Sequence, residues 1–482
     1  MNFRIIGLIL GILLIIESVF MLFGLPFSFY YNDHDISALL ISSGISLFSG
    51  ISLYLINRKA KRDVKKREAY VIVTFSWLTM SLFGTLPFII SGTIPNFTNA
   101  FFETISGFTT TGASILNDIE SIPHGILFWR SMTQWIGGMG IIVLSIAILP
   151  LIRVGGMQMF AAEAPGPTPD KLSPKIKETA RKLWFLYLGF TVTETILLVI
   201  GKMSLFDAIN HSLTTMATGG YSTKQASIAH FDSPFIHYVI IAFMFIAGTN
   251  FAISYFALTG KPKKLFKNDE FKFYSQIILG ASLIIAIGLY WKNGLSVEQS
   301  VRDALFQVVS IVTTTGFVTA DYLQWQPMSL WVVLFLLMFI GGSAGSTGGG
   351  IKVVRILLLF RNAYLELKRL IHPNAVIPVR YAGHAVPSQI IINILAFIIF
   401  YIIIYLVSVL IMTFWGLDFV TSMGAVATTL GNIGPGIGAV GPAENFALIP
   451  DGGKYFLSFL MLLGRLELFT VIILLTPQFW RK

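Results

Sequence analysis

Thr109-Thr110-Thr111-Gly112 decides the fold of this chain, because versions of it return as Ala217-Thr218-Gly219-Gly220, Thr313-Thr314-Thr315-Gly316 and Thr428-Thr429-Leu430-Gly431, each inside an otherwise apolar region. Thirteen residues before the last glycine of each copy stand Asn99, Asp207, Asp303 and Asp418, all residue types that cap helix N-termini. The common offset marks an internal repeat. It predicts four short half-helices, each ending in a glycine-bearing loop, with the four loops surrounding one cation path.

The chain around these copies has 482 residues, 55% hydrophobic and 12% charged, the balance of an integral membrane protein in a lipid bilayer. A net charge of +10 would raise nucleic acid as a partner for a soluble domain. Here the basic residues sit in short loops between apolar runs, so topology accounts for them and no nucleic acid is expected. Cysteine is absent, which excludes disulfides and thiolate metal sites. The seven histidines show no ligand spacing. The first 25 residues form an apolar run long enough to span, without a small-residue cleavage site, and are expected to be a retained helix.

Ten apolar stretches of spanning length are expected, at 4–25, 37–57, 70–91, 126–150, 182–201, 234–258, 273–291, 328–360, 388–414 and 453–477. Seven Lys/Arg fall in 58–68, six in 151–182 and five in 260–272, while 92–125 carries none. The positive-inside rule therefore places both termini in the cytoplasm. Segments 99–109, 207–217, 303–313 and 418–428 precede the loops and measure roughly 16 Å as helix, about half the hydrocarbon thickness. Such segments can only dip in and return. Irregular backbone at that depth survives where protein or a water-filled cavity satisfies it, so the loops should face each other.

The fold expected is all-α and polytopic: four span, half-helix, filter-loop, span repeats around one pore, after an accessory N-terminal helix hairpin over 1–69. The repeats cover 70–160, 161–260, 261–370 (with a broken second span) and 371–482. Their marker glycines are 108, 96 and 115 residues apart.

Backbone carbonyls can coordinate a dehydrated cation without a full opposing charge, and glycine tolerates the backbone angles that aim successive carbonyls at one axis. Threonine adds hydroxyls on a stiff side chain, and each half-helix turns its partly negative C-terminal end toward the same axis. The absence of acidic residues from the four motifs argues for a monovalent ion. The candidate filter comprises Thr110, Thr111, Gly112, Ala217, Thr218, Gly219, Gly220, Thr314, Thr315, Gly316, Thr429, Leu430, Gly431 and Asn432. Helix packing alone could explain one Thr/Gly turn; four at a common offset favour a filter. Gly219 and Gly220 leave the second register open by one, with Tyr221, matching Phe317, favouring Gly220. Leu430 removes one hydroxyl from the fourth quadrant, so selectivity weaker than in a fourfold-identical filter is expected.

The strings FFETISGFTTTGAS (101–114), TTMATGGYST (214–223), TTTGF (313–317) and GNIGPGIG (431–438), on this fourfold plan, resemble the Trk/Ktr/HKT superfamily of potassium transporters over nearly the whole chain. The resemblance implies K+ as the transported ion, no organic cofactor and a prokaryotic plasma membrane. It also implies a homodimer gated by a cytosolic, nucleotide-binding TrkA-like subunit.

Gly341 to Gly350 is a run of ten small residues, six of them glycine, which cannot hold a helix well at about 1 kcal/mol per glycine. A movable loop beneath the filter is expected there, with Gly345, Gly348, Gly349 and Gly350 as gate residues; a close-packing surface is the alternative. Gly350-Ile351-Lys352 excludes a phosphate loop. Arg465, in the last span, either forms an electrostatic barrier below the filter or pairs with carbonyls or a carboxylate on another span, the broken loop included. Glu467 is a poor partner for it within one helix.

Glu103, His211, Gln307 and Ser422, nine residues before each marker glycine, are expected to hydrogen-bond the filter backbone from behind. Arg130, Gln134 and Gly137 to Gly140 suit a close helix crossing, and 164–182 and 361–380 read as basic linkers. A sodium-coupled or sodium-permeable carrier is the nearest rival. Intramembrane catalysis lacks a nucleophile or metal cluster, and a rocking carrier lacks inverted repeats.

Overall fold

The half-helices form where the apolar pattern is too short to span, and their start points are set by caps. In the computed structural model, which describes residues 1–60, 64–140 and 176–481, they run Phe97–Phe108, Leu205–Met216, Val297–Val312 and Phe419–Gly431. Asn96, Ser204, Ser296 and Asp418 cap them, each side chain accepting the backbone N–H three residues on. Of the four caps expected from sequence, Asp418 holds that place, and Asn99, Asp207 and Asp303 lie inside their helices. Asp207 instead accepts from the hydroxyls of Ser204 (2.7 Å) and Thr223 (2.6 Å).

Six helices among the described residues are long and apolar enough to cross a membrane: Phe3–Tyr31, Ile36–Asn57, Arg67–Ile90, Glu178–Ile200, Asp269–Asn293 and Ser388–Phe414. Two further runs pass the same test only as bent pairs, Pro234–Ala247 with Phe251–Leu258 (110°) and Asp451–Arg465 with Phe469–Leu475 (112°). Two other expected spans differ as well. The stretch 328–360 is split into Ser329–Leu337 and Val353–Ile371. The stretch 126–150 is helical over His124–Met139, and its remainder, like most of the linker 164–182, lies outside the described residues.

A broken second span was expected in the third repeat alone, and the second and fourth repeats also have one. Asn250 causes the first bend by capping the helix that follows it, its Oδ1 accepting from Ala252 and Ile253. Positive φ angles at Glu467 and Leu468 make the last one. The segment 361–380 is only partly a linker: leucine-rich and free of Gly and Pro up to Pro373, it continues the helix to Ile371, before a two-residue hairpin pairs Arg380 with Ala385.

The N-terminal hairpin is tightened by mutual backbone approach: a Cβ on Gly11 would lie 2.8 Å from the Gly50 carbonyl oxygen, and one on Gly50 would lie 2.8 Å from that of Gly11. It is tied to the first repeat by Asp35, which accepts from the Ile126 backbone N–H at 3.0 Å, and by Asp33 against His124 at 2.9 Å, whose ring stacks on Tyr31.

Candidate functional site

Beyond each half-helix the backbone takes the same turn. A residue in the left-handed region is followed two positions later by a glycine with positive φ: Thr110 and Gly112 (51° and 81°), Thr218 and Gly220 (53° and 76°), Thr314 and Gly316 (59° and 83°), Asn432 and Gly434 (55° and 100°). In the second loop the glycine with positive φ is Gly220, with Gly219 one residue before it. The fourth loop departs from the expected register by three residues. Thr429, Leu430 and Gly431 remain helical, and the hydroxyls of Thr428 and Thr429 bond back to the helix carbonyls of Gly424 and Ala425. With Gly434 as marker, the caps Asn96, Ser204 and Asp418 all stand sixteen residues before their glycines, and Ser296 stands one helical turn farther back.

The four loops interlock in order. A Cβ added to Gly112 would collide with the carbonyl oxygen of Gly219, one on Gly220 with that of Thr315, and one on Gly316 with that of Ile433. A Cβ on Gly434 would find the Thr111 carbonyl oxygen 3.1 Å away, which closes the circle from fourth loop to first. All four glycines line one open vestibule of about 90 Å³. The carbonyls of Thr110, Gly112, Thr218, Gly220, Thr314, Gly316, Asn432 and Gly434 accept no hydrogen bond from the described residues. Buried carbonyls without a donor are costly unless something else satisfies them, and a dehydrated cation suits such a set.

Most of the threonine hydroxyls are engaged elsewhere. Thr109 and Thr111 bond each other at 2.8 Å, as do Thr313 and Thr315, and Thr109 and Thr313 also donate to their helix carbonyls. Thr218 donates to the Ala217 carbonyl. In the fourth quadrant the Asn432 amide takes part instead, donating to Thr111 Oγ1 and to the Met461 carbonyl, both at 2.9 Å.

Behind the loops, Glu103 accepts from Ser114 Oγ (3.0 Å) and the Ile115 N–H (2.9 Å), His211 Nε2 meets Ser222 Oγ (2.9 Å), and Gln307 reaches Thr319 Oγ1 (3.3 Å). Of these, the Glu103 set includes loop backbone, whereas the backbone partner of His211 is the Asp207 carbonyl within its own helix (2.7 Å). Ser422 has no hydroxyl partner among the described residues, and by the Gly434 register Ala425, not Ser422, holds the corresponding place.

The glycine-rich segment folds directly against the half-helix ends. Its neck is pinned by the Gly341 N–H to the Ile351 carbonyl at 2.9 Å. Thr347 Oγ1 donates to the carbonyls of Met216 (3.1 Å) and Ala247 (3.3 Å), and the Gly349 N–H donates to Thr314 Oγ1 at 2.7 Å. A Cβ on Gly348 would lie 2.9 Å from the Thr313 carbonyl oxygen, and one on Gly349 2.7 Å from that of Gly431. Lys352 Nζ donates to the Gly348 carbonyl, and the Gly345 carbonyl accepts from the Phe251 N–H. Gly345 and Gly350 provide the positive φ angles at which the segment turns (75° and 61°).

Arg465 sits where its span bends, as the last residue of Asp451–Arg465, and is 4% exposed. Its Nη1 donates to the Thr347 carbonyl (2.7 Å) and its Nη2 to the Gly137 carbonyl (3.0 Å). The guanidinium thus ties the glycine-rich segment to the first repeat. Glu467 bonds Arg355, whose guanidinium lies 3.9 Å over the Phe397 ring. Breaking a buried pair by truncating one partner costs about 3–5 kcal/mol. Arg355→Ala and Glu467→Ala are each expected to lower the melting temperature in detergent, and the double variant to lose less than the two losses combined. Additive losses would mean the two side chains do not interact.

Sequence reasoning missed Lys352, Arg355 and the Asn432 to Gly434 register. An Asn two residues before a Gly-Pro, with asparagine's tolerance of left-handed backbone, was the available signal.

Residues 38–292 and 282–482 match the TrkH family, described as a cation transport protein. The Trk system potassium uptake protein TrkH of Escherichia coli (strain K12) is 43% identical over 487 residues, covering 100% of both chains. The Trk system potassium uptake protein TrkG of the same strain is 32% identical, with 99% of each chain covered. The crystal structure of the potassium transporter TrkH from Vibrio parahaemolyticus superposes with a TM-score of 0.90 at 39% identity, covering 100% of both chains. Matched along its full length, this polytopic helical membrane chain belongs to the TrkH family of cation transport proteins.

Proposed function

We propose that the chain takes up potassium through the ring of four loops, as the ion-translocating subunit of a Trk-type system in the bacterial inner membrane. The single observation that carries this reading is the closed circle of contacts from Gly112 through Gly220, Gly316 and Gly434 back to Thr111 around one vestibule. Eight carbonyls without donors in these loops suit a monovalent cation. The vestibule faces outward and both termini face the cytoplasm, because the Lys/Arg-rich segments 58–68 and 260–272 alternate with 92–125, which has no Lys or Arg. The glycine-rich segment and Arg465 form the gate. A homodimer and a cytosolic nucleotide-binding subunit of the TrkA type complete the proposal, supported by the Trk-system relatives.

The test is uptake into proteoliposomes holding K+, Rb+, Na+ or Li+ alone, with and without the cytosolic subunit. K+ and Rb+ are expected to exceed Na+ and Li+ by at least about tenfold. Equal passage of all four removes the potassium filter. The fourth-loop register has its own expected outcome. Gly434→Ala lowers the K+/Na+ uptake ratio, because alanine is strained at φ 100°. Gly431→Ala, in helical backbone, perturbs the ratio less. The reverse order would restore Gly431 as the filter glycine.

A further inference from the structure

Arg130 projects from the helix His124–Met139 and is 2% exposed. Its Nε donates to Glu103 Oε1 at 2.8 Å, its Nη2 to Ser114 Oγ at 3.2 Å and its Nη1 to the Ser222 carbonyl at 2.9 Å. The guanidinium carbon lies 3.6 Å over the centre of the Tyr221 ring. Tyr221 in turn donates its hydroxyl to the Glu103 carbonyl at 2.6 Å. One helical turn on, Gln134 donates to the Gly219 carbonyl at 2.6 Å and accepts from the Tyr221 N–H at 3.1 Å.

Ser114 and Ser222 each stand two residues past a filter glycine, Gly112 and Gly220. One guanidinium therefore holds the exits of two successive loops at a set separation, and the helix behind them holds the intervening carbonyl. At the place of Glu103 the third half-helix has the neutral Gln307, which meets Thr319, and Ala425 leaves the fourth without a polar group there. A buried ion pair is a poor source of stability compared with a well-packed apolar pair. The planar fork, by contrast, fixes several partners at once, which a lysine cannot reproduce.

We propose that Arg130, paired with Glu103, is a positioning residue for cation discrimination: it fixes the spacing between the first and second filter loops and touches no ion. The proposal rests on the four-loop filter reading.

Arg130→Lys keeps the charge and removes the fork, and Glu103→Gln keeps the shape and removes the charge. Both are compared with the native chain in proteoliposomes for initial K+ and Na+ uptake, alongside melting temperature in detergent. The expected result is a K+/Na+ ratio lowered at least about fivefold in Arg130→Lys, through a rise in Na+ uptake. Glu103→Gln should lower it in the same direction by less. A role confined to stability would lower the melting temperature and the uptake of both ions together, leaving the ratio alone, and that result overturns the proposal. Should Arg130→Lys fail to fold, the ratio in Glu103→Gln decides. Gly316→Ser separates the two readings: if it alters the ratio while neither clamp variant does, the clamp fails and the filter stands. If it too leaves the ratio unchanged, the filter reading itself fails.

Discussion

Gly316→Ser is expected to lower the K+/Na+ uptake ratio by at least about tenfold, equivalent to a loss of about 1.4 kcal/mol in discrimination. Two independent effects act at this residue. Its φ of 83° opposes any side chain, at roughly 1–2 kcal/mol for an L-residue. A Cβ there would also collide with the Ile433 carbonyl, the contact that joins the third loop to the fourth. The nearest atoms are the Ile433 backbone and the Pro435 ring, so no flexible side chain is there to yield. Thr315→Val should change the ratio by no more than about threefold, since the hydroxyl it removes bonds Thr313 and carries no unique part of the circle. Initial rates of Rb+ and Na+ uptake measure both. An unchanged ratio in folded Gly316→Ser contradicts the account, as would a larger loss from the threonine.

Arg465→Ala is expected to raise K+ flux at least about tenfold in the absence of the cytosolic subunit, because charge-assisted hydrogen bonds contribute about 1.5–3 kcal/mol each. Arg465 donates such bonds to Thr347 and Gly137. Without them the glycine-rich segment keeps its contacts to the Met216 carbonyl and Thr314 but loses its tie to the first repeat. Shortening the segment between Gly345 and Gly350 should act in the same direction. Flux through single channels in planar bilayers reads the effect as open probability. Unaltered open probability in both variants would make the segment packing and remove it as a gate.

The repeat was legible because polar, glycine-bearing strings stand out inside apolar runs, and a segment near eleven residues cannot span. The caps were misplaced where a second capping residue stands upstream: Asn96 three before Asn99, Ser204 three before Asp207 and Ser296 seven before Asp303. In Ser204-x-x-Asp207 the hydroxyl caps, and the carboxylate at the third position resembles a cap in sequence. The fourth register was obscured because Thr428-Thr429-Leu430-Gly431 copies the first string in letters while its hydroxyls satisfy helix carbonyls. Hydropathy also cannot reveal the bends near Asn250 and Glu467, since both runs are apolar on either side of the break. They follow from a side-chain cap and from an ion pair 112 residues distant in sequence, between Arg355 and Glu467. Arg465 could be placed from sequence only as a buried charge in need of partners; which carbonyls it meets depends on how the third and first repeats pack.

The most direct test is where the ion sits. Anomalous diffraction from crystals grown in Rb+ or Tl+ is expected to place a peak between Gly112, Gly220, Gly316 and Gly434, on the vestibule side of the glycine-rich segment. A peak there that disappears in Gly316→Ser agrees with the account. A native chain that transports Rb+ yet shows its ordered ion away from these four glycines would contradict it.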